Sequence, residues 1–407
     1  MAQAPSNTRL KSARIAAGYN SQQALADALS VGVRQVRRWE SSAPPWPQGE
    51  MAQNLTRLLG QDLQSLGFTP PPGAQADNGR RPGLAPAAAV GLAAVPTQAV
   101  IIQPASVAAD FAAVTRAHRR LYWSVAPATL HPAAIAHATL GCALLPETAG
   151  QTRRAVATAL AETWLLAGRI EFFDLRNADR AQQTLLRALQ AAGEADDPLI
   201  GAAILAHTAF IPAWAGERDA AVERMVAART YARRGPASAQ LLAWLDAVEA
   251  ECETRCGHTR TALHLIGHAE NVLEAGSEYS SPEWLDWFSP VRLAAFKGNT
   301  QLLAGHLPQA RATLLGVLDE LEKTEEKQTT VVLGDLAAVE AAAADPEAAC
   351  RYARRALDQL ERTWYAMGMD RVRDVRRSLT PHQHEACVRD LDDRLYGWAT
   401  TVSALAR

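Results

Sequence analysis

One pattern constrains this chain more than any other. Starting at residue 181, a small residue is followed four positions later by a large one and three after that by another small or apolar one: Ala181, Leu185, Ala188. The pattern returns at Ala221, Met225 and Ala228, at Ala262, Ile266 and Ala269, at Ala310, Leu314 and Val317, and, with a small residue in the middle place, at Ala349, Ala353 and Ala356. Steps of four and three keep each triplet on one helix face. A turn signal precedes each: Asn177-Ala178-Asp179, Gly216-Glu217-Arg218-Asp219, Gly257-His258, Gly305-His306 and Ala344-Asp345-Pro346. Small residues let a neighbouring helix approach closely, and the turn sets an antiparallel order. A unit of about forty residues cannot bury its own apolar face, so successive units are expected to stack on one another.

The N-terminal stretch follows a different plan. From Thr8 the spacing predicts a first helix with Leu10, Ala13 and Ala17 inward, stopped by Gly18, and a second from Gln22 to Leu29, capped by Asn20 or Ser21. Ser30-Val31-Gly32 makes the turn into a third helix ending at Trp39 and Glu40. Leu25, Ala26, Leu29, Val31, Val36 and Trp39 fall where two short helices crossing at that turn bury them. Arg34, Gln35, Arg37 and Arg38 are left outward, a face suited to phosphates and base edges. Three prolines stiffen Ser41 to Pro47, a further helix runs from about Gln48 to Leu59, and a short turn follows through Leu63 to Phe68. The reading is of five helices in residues 1–68.

These residues resemble the Cro/C1-type (XRE, lambda-repressor-like) helix-turn-helix family, on Gln22, Leu25-Ala26, Leu29, Val31, Val36 and Arg37-Arg38-Trp39-Glu40. The turn position that usually holds glycine is Ser30. The resemblance implies operator contacts at Gln22, Val33, Arg34, Arg37 and Arg38, with Arg34 the candidate for a bidentate guanine contact. Gln35 is added from its outward position, and Ser21, Gln22 and Arg38 suit phosphate. The repeats, longer than the minimal 34-residue unit, resemble the tetratricopeptide (TPR) superfamily in a long-helix form.

Charge follows the same division. Residues 1–68 carry seven basic side chains against four acidic ones, a balance of +3 within a chain of net charge -2, so the remainder stands at -5. A basic head on an acidic body fits contact with a polyanion at one end only. Between them, residues 69–105 are dense in Pro, Gly and Ala and read as a flexible linker. Leu84 to Ile102 approaches a membrane span in length, but Pro86, Gly91, Pro96 and Gln98 interrupt it, so no membrane partner is expected. Five cysteines scattered over 407 residues suit reduced cytosol, and the N-terminus lacks an apolar export segment, so the expected location is cytoplasmic.

The expected fold is all-α: a five-helix head at 1–68, the linker at 69–105, and an α-solenoid of TPR-like helix pairs at 106–407. Trp123 and Trp164 are expected in its core, and the insert Pro282 to Phe288 packs between repeats or roofs the groove. The first helix of each pair lines the concave wall in the resembled arrays, which puts groove candidates at Glu162, Arg169, Phe172, Phe210, Trp214, Trp244, Glu251, Asp286, Arg292 and Lys297. Cys252, Cys256, His258, His264 and His268 are close in sequence, but their spacing lacks zinc knuckles, and no metal or cofactor is expected. No nucleotide loop or catalytic constellation has a recognisable signature, so an enzyme is not expected.

Together these features point to a bacterial transcriptional regulator that binds double-stranded operator DNA as a homodimer and senses a peptide, small-molecule or protein signal in the groove. The alternative is an interaction scaffold whose body captures a protein partner while the head is degenerate or binds protein; Ser30 and the modest +3 charge favour it.

Overall fold

The computed structural model describes residues 7–29, 31–42, 44–47, 50–59, 61, 63–69, 103–322 and 325–405. Ser30 and residues 70–102, nearly all of the linker, lie outside them. The chain divides into two compact units, Met1–Val95 and Pro96–Arg407. Every described regular element is helical.

In the first unit, α1 (Thr8–Ala16), α2 (Gln22–Ala28), α3 (Val33–Trp39) and α4 (Glu50–Leu59) surround Leu10, Leu25, Val36, Trp39 and Leu55. The fifth helix is absent among the described residues. Residues 63–67 instead make a tight turn, in which the Phe68 amide donates to the Leu63 carbonyl at 2.9 Å. That turn returns Leu66 and Phe68 to the core, with the Phe68 ring edge-on to Trp39 at 6.4 Å. Asn7 ties the ends together: its amide donates to the carbonyls of Trp39 and Leu66, while its oxygen accepts from the Leu10 amide at the start of α1.

The second unit begins with α5 (Ser106–Leu121) and α6 (Pro127–Leu144). By length and composition the segment Pro127–Glu147 is apolar enough to cross a membrane, and its buried face, from Leu130 to Gly141, packs on α5 and α7. Five helix pairs follow: α7 (Gly150–Arg169) with α8 (Ala178–Ala195), α9 (Pro198–Trp214) with α10 (Arg218–Ala232), α11 (Ala239–Arg255) with α12 (Thr259–Ala275), α13 (Pro290–Leu303) with α14 (Leu307–Glu320), and α15 (Glu326–Ala342) with α16 (Pro346–Arg362). Then α17 (Ala366–Ser378) and α18 (Ala386–Leu405) pack on α15 and α16.

All five triplets lie on the second helix of a pair and are buried throughout. A side chain on Gly168 would meet Leu185 at 2.8 Å and one on Gly298 would meet Leu314 at 2.5 Å, so in these two pairs the large member of the triplet occupies room left by a glycine on the first helix. The turns are equally regular. Arg176, Gly216, Gly257, Gly305 and Ala344 have φ of 56°, 78°, 83°, 78° and 58°, and each stands five residues before its triplet. One left-handed residue therefore reverses the chain in every pair, through glycine in three of them and a residue with a Cβ in two.

Candidate functional site

Side chains of the first helices of the pairs line a cavity of about 140 Å³ that is open on one side. From α9 come His207, Phe210 and Trp214; from α11, Trp244 and Glu251; from α13, Arg292 and Asn299. Spacings of three, four and seven put each set on one helix face. Trp287, from the insert before α13, and Trp123, just after α5, complete an aromatic enclosure. The insert does two things: Leu285 and Phe288 are buried in the core, while Trp287 roofs the cavity. Trp123, expected in the core, lines the cavity instead.

The wall closes because α7 ends in a π-turn, Ile170–Asp174, where the Leu175 amide reaches back to the Ile170 carbonyl. The extra residue carries Phe173 into the lining and aims Asp174 at Lys327 of α15, 2.7 Å away. Burial raises the Asp174 carboxyl and lowers the Lys327 amine, each opposed by the other's charge. Arg176 meets Asp370 of α17 at 3.0 Å. The array thus curls until an early pair touches its last helices.

Charges around the cavity are paired off. Arg292 bonds Glu325 at 2.6 Å and also donates to Gln328. Arg371 of α17 meets Asp335 at 2.7 Å, and Asn299 and Arg255 both donate to Glu251. Arg169 is different: its guanidinium lies 4.8 Å from the Tyr122 ring centre, 5.1 Å from Trp287 and 5.8 Å from Trp123, with no carboxylate paired to it among the described residues; its buried Nε, like that of Arg292, has no hydrogen-bond partner. His207 Nδ1 donates to the Ala203 carbonyl at 2.8 Å, since a carbonyl only accepts, which leaves Nε2 as the acceptor. Burial, helped by the charge on Arg169, holds this ring down to about 3.

Compared with models of known protein families and with curated proteins, the chain matches none.

Of the ten groove candidates, Arg169, Phe210, Trp214, Trp244, Glu251 and Arg292 converge on the cavity. Phe172 does not; it is buried behind the wall, edge-on to Phe173 and Trp214, because the π-turn presents the next residue. Glu162 holds Arg119 at 2.9 Å beside an adjoining cleft, its carboxyl pushed up to about 7 by burial. Asp286 lines a second cleft, 3.5 Å from the same Arg119. Lys297 turns toward α12, where it pairs with Glu270 at 2.8 Å. Sequence reasoning missed Asn299, although it stands seven residues after Arg292 on the same face. Tyr365, Met367 and Arg371, also in the lining, follow the last triplet and carry no repeat signal.

On the head, Arg34, Arg37 and Arg38 are exposed on α3, and among the described residues none pairs with a carboxylate. At about 100° per residue they span roughly a quarter of the helix circumference. Val33 and Gln35 are half-buried, and Gln35 faces a cleft beside Trp46 and Met51. Ser21 is the helix cap, its Oγ accepting from the Ala24 amide at 3.0 Å. The Gln22 amide donates to Glu40 at 2.6 Å, and its oxygen accepts from Arg37. Glu40 also holds Arg14 in a buried ion pair at 2.7 Å, a contact across 26 residues that no local pattern marks. Among the described residues no group of three or more His, Cys, Asp or Glu could hold a metal; His268 pairs instead with Asp246.

Proposed function

We propose that this chain is a bacterial cytoplasmic transcriptional regulator that binds operator DNA through a helix-turn-helix head, as a homodimer, and adjusts that binding through a TPR-like sensor body. The observation that carries the reading is the arc of Arg34, Arg37 and Arg38 on α3. Three exposed guanidinium groups without carboxylate partners, on the helix that follows a tight turn, suit a phosphate backbone and guanine edges. A separate unit with its own aromatic-lined cavity supports a sensing role for the body. A coupling of about 1–3 kcal/mol between the two would change operator affinity 5- to 150-fold.

The test is selection of the full-length protein on random duplex DNA. The expected result is an enriched motif of two related half-sites about one helical turn, 10–10.5 base pairs, apart. Recovery of unenriched sequence, with binding insensitive to salt, would overturn the reading in favour of a protein-binding head.

A further inference from the structure

We infer that the body cavity is a receptor for a carboxylic acid with one ring-sized apolar body, its carboxylate held by Arg169. The inference deepens the sensor reading and depends on it only for the consequence at DNA.

Three observations carry it. Size comes first: a cavity of about 150 Å³ lined by apolar side chains takes a single benzene ring, and this one, at about 140 Å³, has Trp214, Trp244, Trp287 and Phe210 in its wall. Its apolar room suits one ring or a branched aliphatic group.

The second observation is charge. Arg292, Arg371, Arg255 and Lys327 each have a carboxylate, at Glu325, Asp335, Glu251 and Asp174. Arg169 has none among the described residues and meets only aromatic faces, with Nε buried and unbonded. A guanidinium carries five donors in a rigid fork that matches a carboxylate. Stacking on rings stabilises the cation but accepts none of those hydrogen bonds in its plane. Among these five cations and four carboxylates Arg169 is the one left over, beside a largely apolar chamber, the complement of an apolar monoacid.

The third is that the chamber is assembled. Arg169 is the last residue of α7, and the π-turn that follows is fixed by the buried pair of Asp174 and Lys327. The guanidinium is therefore placed by tertiary contacts before a ligand arrives, which limits the ordering cost of binding.

Calorimetric titration of the full-length protein with phenylacetate, phenylacetamide and phenethylamine tests the assignment, since these share a ring and differ in charge. The expected order is acid, amide, amine, with the acid about tenfold or more tighter than the amide, as a charge-assisted hydrogen bond provides. A parallel arm uses glycylglycylphenylalanine with a free or an amidated C-terminus. The same preference confined to the peptide would move the source to a peptide terminus and overturn the free-acid assignment. Arg169→Gln should abolish the acid preference and Arg169→Lys retain part of it. Equal binding of acid and amide by the unsubstituted protein, or no binding in either arm, overturns the inference without any variant. Neither outcome bears on the duplex selection, so the two readings fail separately.

Discussion

Lys327 Nζ lies 2.7 Å from Asp174 Oδ1 although 153 residues separate them, and both side chains are almost fully buried. The ammonium also sits 3.8 Å from the Tyr122 ring centre. This contact joins the end of α7 to α15 and closes the inner wall around the cavity. Removing one member strands a buried charge. Asp174→Asn and Lys327→Met should each destabilise the body by about 3–5 kcal/mol. The double variant should lose clearly less than the sum, as urea denaturation in a double-mutant cycle would measure. Additive losses would mean that the pair does not hold the closure.

The turns separate backbone strain from packing. Gly257 has φ of 83° and nothing within 4 Å of where a side chain would begin, so Gly257→Ala should cost only the left-handed penalty, about 1–2 kcal/mol. Ala344 takes the same place in its pair at φ of 58°. Ala344→Gly relieves that penalty but loosens the unfolded chain, for a net change of about +0.5 to +1 kcal/mol. Thermal melts of the two variants should therefore move in opposite directions.

His207 gives the body a pH dependence of defined sign. Its folded value of about 3 lies below its ordinary value of 6.5, so between them the unfolded chain binds the proton and the folded one does not. Stability from this group is complete above about pH 6.5 and is lost as pH falls, by on the order of 2 kcal/mol at pH 5. Glu162, pushed up to about 7, works in the opposite direction over an overlapping range. The informative quantity is therefore the difference between the unsubstituted protein and His207→Gln, in which Glu162 cancels. Denaturation at pH 7 and pH 5 should show the larger acid loss in the protein that keeps His207.

Two arginines on α3 should behave differently on DNA. Arg34, nearer the start of the helix, is expected to read a base, so Arg34→Ala should flatten sequence preference by about 1–3 kcal/mol at one position. Arg38, in its last turn, is expected to meet phosphate. Arg38→Ala should weaken binding to all sequences and lower the slope of log K against log salt by about 0.9. Fluorescence anisotropy across a salt series distinguishes the two, and unchanged affinity and slope in both would remove the groove assignment.

Helical periodicity made much of the body legible. The triplets marked the second helix of each pair because their spacing of four and three is a property of one turn of chain. The same periodicity pointed to Phe210, Trp214, Trp244 and Arg292 on the first helices. Phe172 was misread because one extra residue in the π-turn rotates everything after it, and neither Phe172 nor Phe173 signals that insertion locally. Lys297 was misread because its helix has two polar faces, and only the position of α12 decides which of them meets Glu270.

The sequence by itself determined the all-helical class, the unit of about forty residues, a turn before each triplet, and the outward arginines of α3. Each rests on interactions within a helix or between consecutive helices, where spacing along the chain equals spacing in space. Tertiary structure alone decided that Trp123 and Trp287 would meet over Arg169, that Arg14 would find Glu40, and that Asp174 would reach Lys327. Those contacts depend on small rotations accumulated from pair to pair, or on burial of groups far apart in the chain. An array with the same triplets and a slightly different rotation per pair would keep its core and lose its cavity.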